Sequence, residues 1–127
     1  MPTVPAKRTD QPESEVLKEC LAFLRERGCL ADRQNNGSFC TAGQWHTYGI
    51  VGSGDIIGIG PGGVHIEIET KAGRGGRLST LQQRRQDRVT RHGGKYAVVH
   101  SVDELAKWYE REVMQTTEGV FDGCEDT

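Results

Sequence analysis

Three consecutive pieces of the chain decide its fold: Ser53-Gly-Asp-Ile-Ile-Gly-Ile-Gly60, Pro61-Gly-Gly63 and Val64-His-Ile-Glu-Ile-Glu-Thr-Lys71. Two short runs rich in β-branched residues flank a turn-forming Pro-Gly-Gly, which predicts a β-hairpin with strands near 54–60 and 64–71. In the second run, period-2 alternation puts Ile66, Ile68 and Thr70 on one face. His65, Glu67, Glu69 and Lys71 fall on the other. Glu69 and Lys71, two residues apart on one face, have Cα atoms about 6–7 Å apart. Asp55, at the start of the neighbouring strand, lies opposite them.

Two carboxylates on adjacent strands, with a backbone carbonyl and waters, make an oxygen-rich half-shell suited to a hard cation such as Mg²⁺. A lysine beside such an ion orients a water and neutralises charge developing on a phosphate. A lone Glu-x-Lys is commonplace, and by itself an edge strand with solvated charges is the better explanation of it. The Gly54-Asp55 pair and the hairpin spacing are what set this one apart.

Outward from the hairpin, Ala72-Gly-Arg-Gly-Gly-Arg77 reads as a flexible basic loop. It lacks the spacing of a phosphate-binding P-loop or a dinucleotide fingerprint. Ser79-Thr-Leu-Gln82 is a capping box that opens a helix running to about His92, where Gly93-Gly94 stops it. The cap alone accounts for Gln82, so any catalytic role is additional. The helix has few apolar positions, which leaves Arg84, Arg85, Arg88 and Arg91 to face solvent or a phosphate backbone. Lys95 to His100 is a buried-type strand, and Ser101-Val-Asp-Glu104 is a second capping box before a helix carrying Leu105, Trp108 and Tyr109. His92 and His100 read as structural.

Towards the N-terminus, Asp10-Gln-Pro-Glu13 fits an N-cap with an acid at N3. Val16, Leu17, Cys20, Leu21 and Leu24 recur at helical spacing until Gly28. Glu15 in the first turn suits the helix dipole. Leu30 to Gln34 reads as a strand ended by Asn35-Asn36-Gly37. Residues 38–52 show no clear period and are expected to be a long loop. Within it, Trp45 and Tyr48 have three roles open: stacking on an unpaired base, packing at a dimer contact, or covering the core.

The order helix, strand, hairpin, helix, strand, helix predicts an α/β domain with a small mixed sheet flanked by helices. At 127 residues the chain is one domain, residues 13–113, with a disordered tail at 1–12 and an acidic one at 114–127. Eight aromatics imply a modest aliphatic core. No run approaches the about 18 apolar residues of a membrane span, and no signal-peptide pattern opens the chain. Four cysteines, none in a CxxC, support neither a zinc site nor a redox motif, so a reducing cytoplasm is the expected setting. Net charge is −2, but residues 71–95 carry eight basic residues against one acid, and residues 103–127 eight acids against two basic residues. Such polarity suggests one phosphate-facing side and one acidic side.

Gly54-Asp55, Ile68-Glu69-Thr70-Lys71, Gly76-Arg77-Leu78-Ser79, Gln82 and Gly93-Gly94 before the Tyr96–Val99 strand together resemble the VRR-NUC family of the PD-(D/E)XK nuclease superfamily. The resemblance covers roughly residues 13–105. It implies a restriction-endonuclease-like core and a Mg²⁺- or Mn²⁺-dependent endonuclease acting on branched, flapped or junction DNA. Asp55 and Glu69 would be metal-binding carboxylates, completed by the Thr70 carbonyl. Lys71 would stand next to the attacking water. Gln82 and Glu15 match a glutamine and an acid that the family places by the site. Arg74, Arg77, Arg84, Arg85 and Arg88 would contact DNA. Stand-alone members resemble Holliday-junction resolvases and form homodimers. Two departures stand out: Gly54 replaces the superfamily's proline, and the loop from Gly73 to Gly76 is slightly long. A non-catalytic DNA-binding module of the same fold is the main rival, and a protein-interaction domain using the acidic C-terminus is a third reading.

Overall fold

The structure, a computed structural model, describes residues 11–72 and 78–115. The expected cap at Asp10, the glycine-rich loop with Arg74 and Arg77, Cys124 and the acidic stretch beyond residue 115 lie outside the described residues.

Helix α1 spans Glu13–Glu26. Its N-cap is Pro12 in an extended conformation, with no side-chain cap. Glu13 is therefore the first helical residue rather than the reciprocal partner of an Asp10 cap. What favours this start is the proline's fixed φ and the two acids, Glu13 and Glu15, at the positive end of the helix. Strand β1 follows at Leu30–Arg33.

The expected long loop is instead a second hairpin. Strands β2 (Gly37–Thr41) and β3 (Gln44–Tyr48) pair antiparallel and form a two-stranded sheet of their own. Their connection is a two-residue turn with Ala42 and Gly43 both at positive φ, the geometry that matches strand twist. Ala42 is an unusual residue for such a turn, and neither face of the hairpin is buried, so the usual Asn-Gly and hydrophobic-face signals are missing.

Strands β4 (Ile56–Ile59) and β5 (His65–Thr70) form the expected hairpin, joined through a single 3₁₀ turn at Pro61–Gly63. Helix α2 spans Thr80–Arg91, β6 spans Lys95–Val99, and α3 spans Val102–Trp108, continuing as a π-helical turn over Tyr109–Met114. The main sheet has the order β1-β4-β5-β6. Its first two pairings are antiparallel, and β5 with β6 is parallel, so the crossover through α2 makes the sheet mixed.

Ile56, Ile66, Ile68, Ala97 and Val99 supply one face of the sheet to the core. Val16, Cys20 and Leu24 of α1 and Leu105, Tyr109 and Val113 near the C-terminal end complete it. Fully burying each of these aliphatic side chains contributes about 1.5–3 kcal/mol. Cys20 is fully buried, as its helical spacing implies, and burial pushes its thiol up to about 12. Helix α2 covers the opposite face, where its only buried residue is Val89, near its C-terminal end. No helix among the described residues is long and apolar enough to cross a membrane.

Candidate active site

The central strand β5 is buried on both faces from Ile66 to Thr70, so its charged residues are not solvated surface groups. Burying a carboxylate is costly without partners, and each acid here has found a set.

Asp55 lies one position beyond the last β4–β5 pair, Ile56 with Ile68, and so falls opposite Glu69. Its Oδ2 accepts from the Thr70 backbone N–H (2.9 Å) and from the Thr70 hydroxyl (2.8 Å). Glu69, 5% exposed, accepts on Oε2 from Gln82 Nε2 (2.8 Å) and pairs there with Lys71 Nζ (3.2 Å). Among the described residues, every hydrogen bond to the Asp55 side chain falls on Oδ2 and every one to Glu69 on Oε2. Burial, then the Asp55 charge beside it, raises the Glu69 pKa, while Lys71 and Gln82 oppose the rise. An upward-shifted carboxyl next to a second acid marks a place where a cation would relieve repulsion.

Gln82 is held by the expected capping box. Its N–H donates to Ser79 Oγ (3.1 Å), and its Oε1 accepts from the Ser79 N–H (2.9 Å). The second box is only half formed. Glu104 N–H donates to Ser101 Oγ (3.2 Å), but the Glu104 carboxylate accepts from the His100 backbone N–H (2.8 Å) instead of Ser101. His100 and His92 bond within their own turns, to Glu104 and to the Arg88 carbonyl.

The structure separates two groups that the sequence places together. Glu67 does not share the negative crowding of Asp55 and Glu69: Arg85 reaches it with Nε and Nη2. His65 Nε2 (2.7 Å) and the Gly54 N–H (3.1 Å) complete its shell. Burial raises its pKa, but these hydrogen bonds outweigh it and leave the carboxyl below the ordinary glutamate value. Arg85 is accordingly not among the outward-facing arginines; its guanidinium turns inward, and only Arg84, Arg88 and Arg91 of α2 are exposed. Glu15 is exposed on α1, the helix on the other side of the sheet from α2. Among the described residues no three His, Cys, Asp or Glu side chains are grouped to hold one metal ion, so Glu15 does not complete a carboxylate triad with Asp55 and Glu69.

Sequence reasoning missed Tyr96. It is buried on β6 with its hydroxyl donating to the Gly52 carbonyl (3.4 Å), and burial together with Glu69, Glu67 and Asp55 raises its pKa. Its neighbourhood follows from the β5–β6 register, where Tyr96 pairs with Glu67. It also missed why position 54 is glycine. A Cβ there would stand 2.7 Å from the Ile68 carbonyl oxygen and 2.9 Å from its nitrogen. A groove of about 380 Å³ lined by Phe23, Arg27, Tyr109 and Met114 lies at the α1 and C-terminal side and includes none of these acids.

No family model matches the sequence, and no curated protein matches it. A solved structure described as a VRR_NUC domain superposes with a TM-score of 0.59 at 23% identity, covering 79% of this chain and 96% of that one. The α/β core of this chain, superposed on nearly the whole of that domain, has the VRR_NUC fold.

Proposed function

We propose that the protein is a Mg²⁺- or Mn²⁺-dependent endonuclease that hydrolyses phosphodiester bonds in branched, flapped or junction-like DNA. The observation that carries this reading is the Asp55–Glu69 pair. Among the described residues each acid is anchored through one oxygen, Oδ2 and Oε2, so that Oδ1 and Oε1 are the atoms it would offer a ligand. All-oxygen donors suit a hard divalent cation, and the Thr70 carbonyl is the backbone donor of the set. Glu15 would enter through a water or through movement of α1, since it is not grouped with the pair. When bound, such an ion would supply Lewis-acid polarisation of a phosphate and a more acidic water.

The chain's own residues do the rest. Lys71, which pairs with Glu69 at 3.2 Å, would orient the attacking water and offset charge on the phosphate. Gln82 fixes the Glu69 carboxylate. Arg84 and Arg88, exposed on α2, with Arg74 and Arg77 of the preceding loop, supply phosphate contacts. A two-armed substrate suits a two-fold homodimer. Free thiols at Cys20, Cys29 and Cys40 suit a reducing, cytoplasmic setting.

The test is cleavage of a panel of four-way junction, flap, linear duplex and single-stranded DNAs in Mn²⁺. Wild type should cut a branched form, Asp55→Ala should not, and Lys71→Ala should bind that form without cutting. Binding with no cutting of any form would leave a DNA-binding module in place of an enzyme.

A further inference from the structure

We infer that Glu67 and Arg85 are positioning residues that set the spacing of Asp55 and Glu69, an inference that rests on the metal-site reading above. Glu67 is fully buried and central. Its Oε1 takes the Gly54 N–H, and Arg85 grips both of its oxygens from α2. Gly54 directly precedes Asp55, and Arg85 stands one turn after Gln82. One carboxylate therefore joins the three pieces of chain that deliver the site: the entry to β4, the strand β5, and the start of α2.

Thr70 ties the Asp55 side chain to β5 through its N–H and its hydroxyl, and Glu67 adds the link that also includes α2. The β4–β5 ladder ends at Ile56 with Ile68, so Asp55 lies beyond its last pair. Helix α2 buries only Val89, far from its N-terminus, while Leu81 in its first turn is half exposed. Among the described residues, polar contacts tie the N-terminal half of α2 to the sheet at Gln82 with Glu69 and at Arg85 with Glu67. A bidentate guanidinium defines direction as well as distance, which a lysine would not. Stability alone does not require such a pair, because matched apolar side chains often replace a buried ion pair without loss.

That last point supplies the test. The double variant Glu67→Leu/Arg85→Met is compared with wild type, together with the milder Glu67→Gln and Arg85→Lys, which keep a neutral acceptor and a charge and serve if the double variant does not fold. Three quantities are read: Mn²⁺ affinity by calorimetry, hydrogen exchange at the Gly54 amide, and kcat and KM on the DNA that wild type cuts. The expected result is a roughly ten- to hundredfold loss of Mn²⁺ affinity in the double variant. Faster Gly54 exchange and a fall in kcat at constant KM should accompany it, with smaller losses of the same kind in the single variants. Wild-type Mn²⁺ affinity and wild-type Gly54 protection in the folded variants would overturn the inference while leaving the metal site standing. A wild type that takes up no Mn²⁺ would overturn both.

Discussion

Gln82 uses both ends of one amide: its oxygen closes the Ser79 cap, and its nitrogen donates to Glu69 Oε2 at 2.8 Å. The start of α2 and the site carboxylate on β5 are thereby set by the same side chain. The residue that begins the helix also aims the acid.

Replacing Gln82 separates these effects. Gln82→Met loses both bonds and should cost about 1–2 kcal/mol in urea unfolding. Gln82→Glu keeps a cap acceptor but sets a second carboxylate against Glu69. Its stability deficit without metal should be largest at pH 7 and shrink towards pH 5, as one of the two acids takes a proton. A deficit of the same size at both pH values would mean that Gln82 and Glu69 do not touch.

Metal should stabilise the folded chain through Asp55. At one hundred times its dissociation constant, Mg²⁺ or Mn²⁺ should add about 2.7 kcal/mol. Thermal melting with and without metal measures this, and the rise should vanish in Asp55→Ala. An equal rise in that variant would place the ion elsewhere.

The two buried glutamates should respond to pH with opposite sign in metal-free buffer. The Glu69 pKa is raised on folding, so its stabilising effect is complete below the unfolded value and is lost as pH climbs through the folded value. The Glu67 pKa is lowered, so its effect is present above the unfolded value and is lost as pH falls through the folded one. Glu69→Gln should therefore gain melting temperature relative to wild type as pH rises from 5 to 7. Glu67→Ala should lower stability by about 3–5 kcal/mol, because it strands the Arg85 charge. A difference between Glu69→Gln and wild type that stays constant or shrinks over that range would refute the raised pKa.

Gly54→Ala tests the close approach of β4's entry to β5. Its Cβ would meet the Ile68 backbone at 2.7 Å, and backbone atoms cannot swing aside as a side chain can. A cost of about 1–3 kcal/mol is expected in chemical unfolding. A neutral substitution would show that the two strands run further apart.

The β2–β3 hairpin should behave in the opposite way. Trp45 is 73% exposed, so Trp45→Ser should change unfolding of the dilute protein by no more than about 0.5 kcal/mol. A loss above about 1 kcal/mol would mean that the indole is covered.

The face that carries the candidate acids was legible because a central strand announces itself twice. Ile66 and Ile68 fix which face meets the core, and strict alternation then assigns Glu67, Glu69 and Lys71 to the other. The cap at Ser79 was legible because it is local, spanning three residues. The β2–β3 hairpin was not. With both faces exposed, it has no apolar alternation, and its Ala42-Gly43 turn lacks the residues that favour positive φ at both positions. The start of α1 was misplaced because Pro12 itself stands at the N-cap with no side-chain cap, its ring fixing φ while its carbonyl accepts from the Glu15 and Val16 N–H groups.

The chain's local chemistry thus determined the strands of the main sheet, the start of α2 and the acids that share a face, since each depends on neighbours within a few residues. Only the packed molecule decided that Glu67 belongs to Arg85 and Glu69 to Lys71 and Gln82. By alternation the two glutamates are equivalent. They differ because α2 crosses their face at an angle that brings Gln82 over one and Arg85 over the other. That angle is set by contacts more than ten residues apart in sequence, which no local pattern encodes.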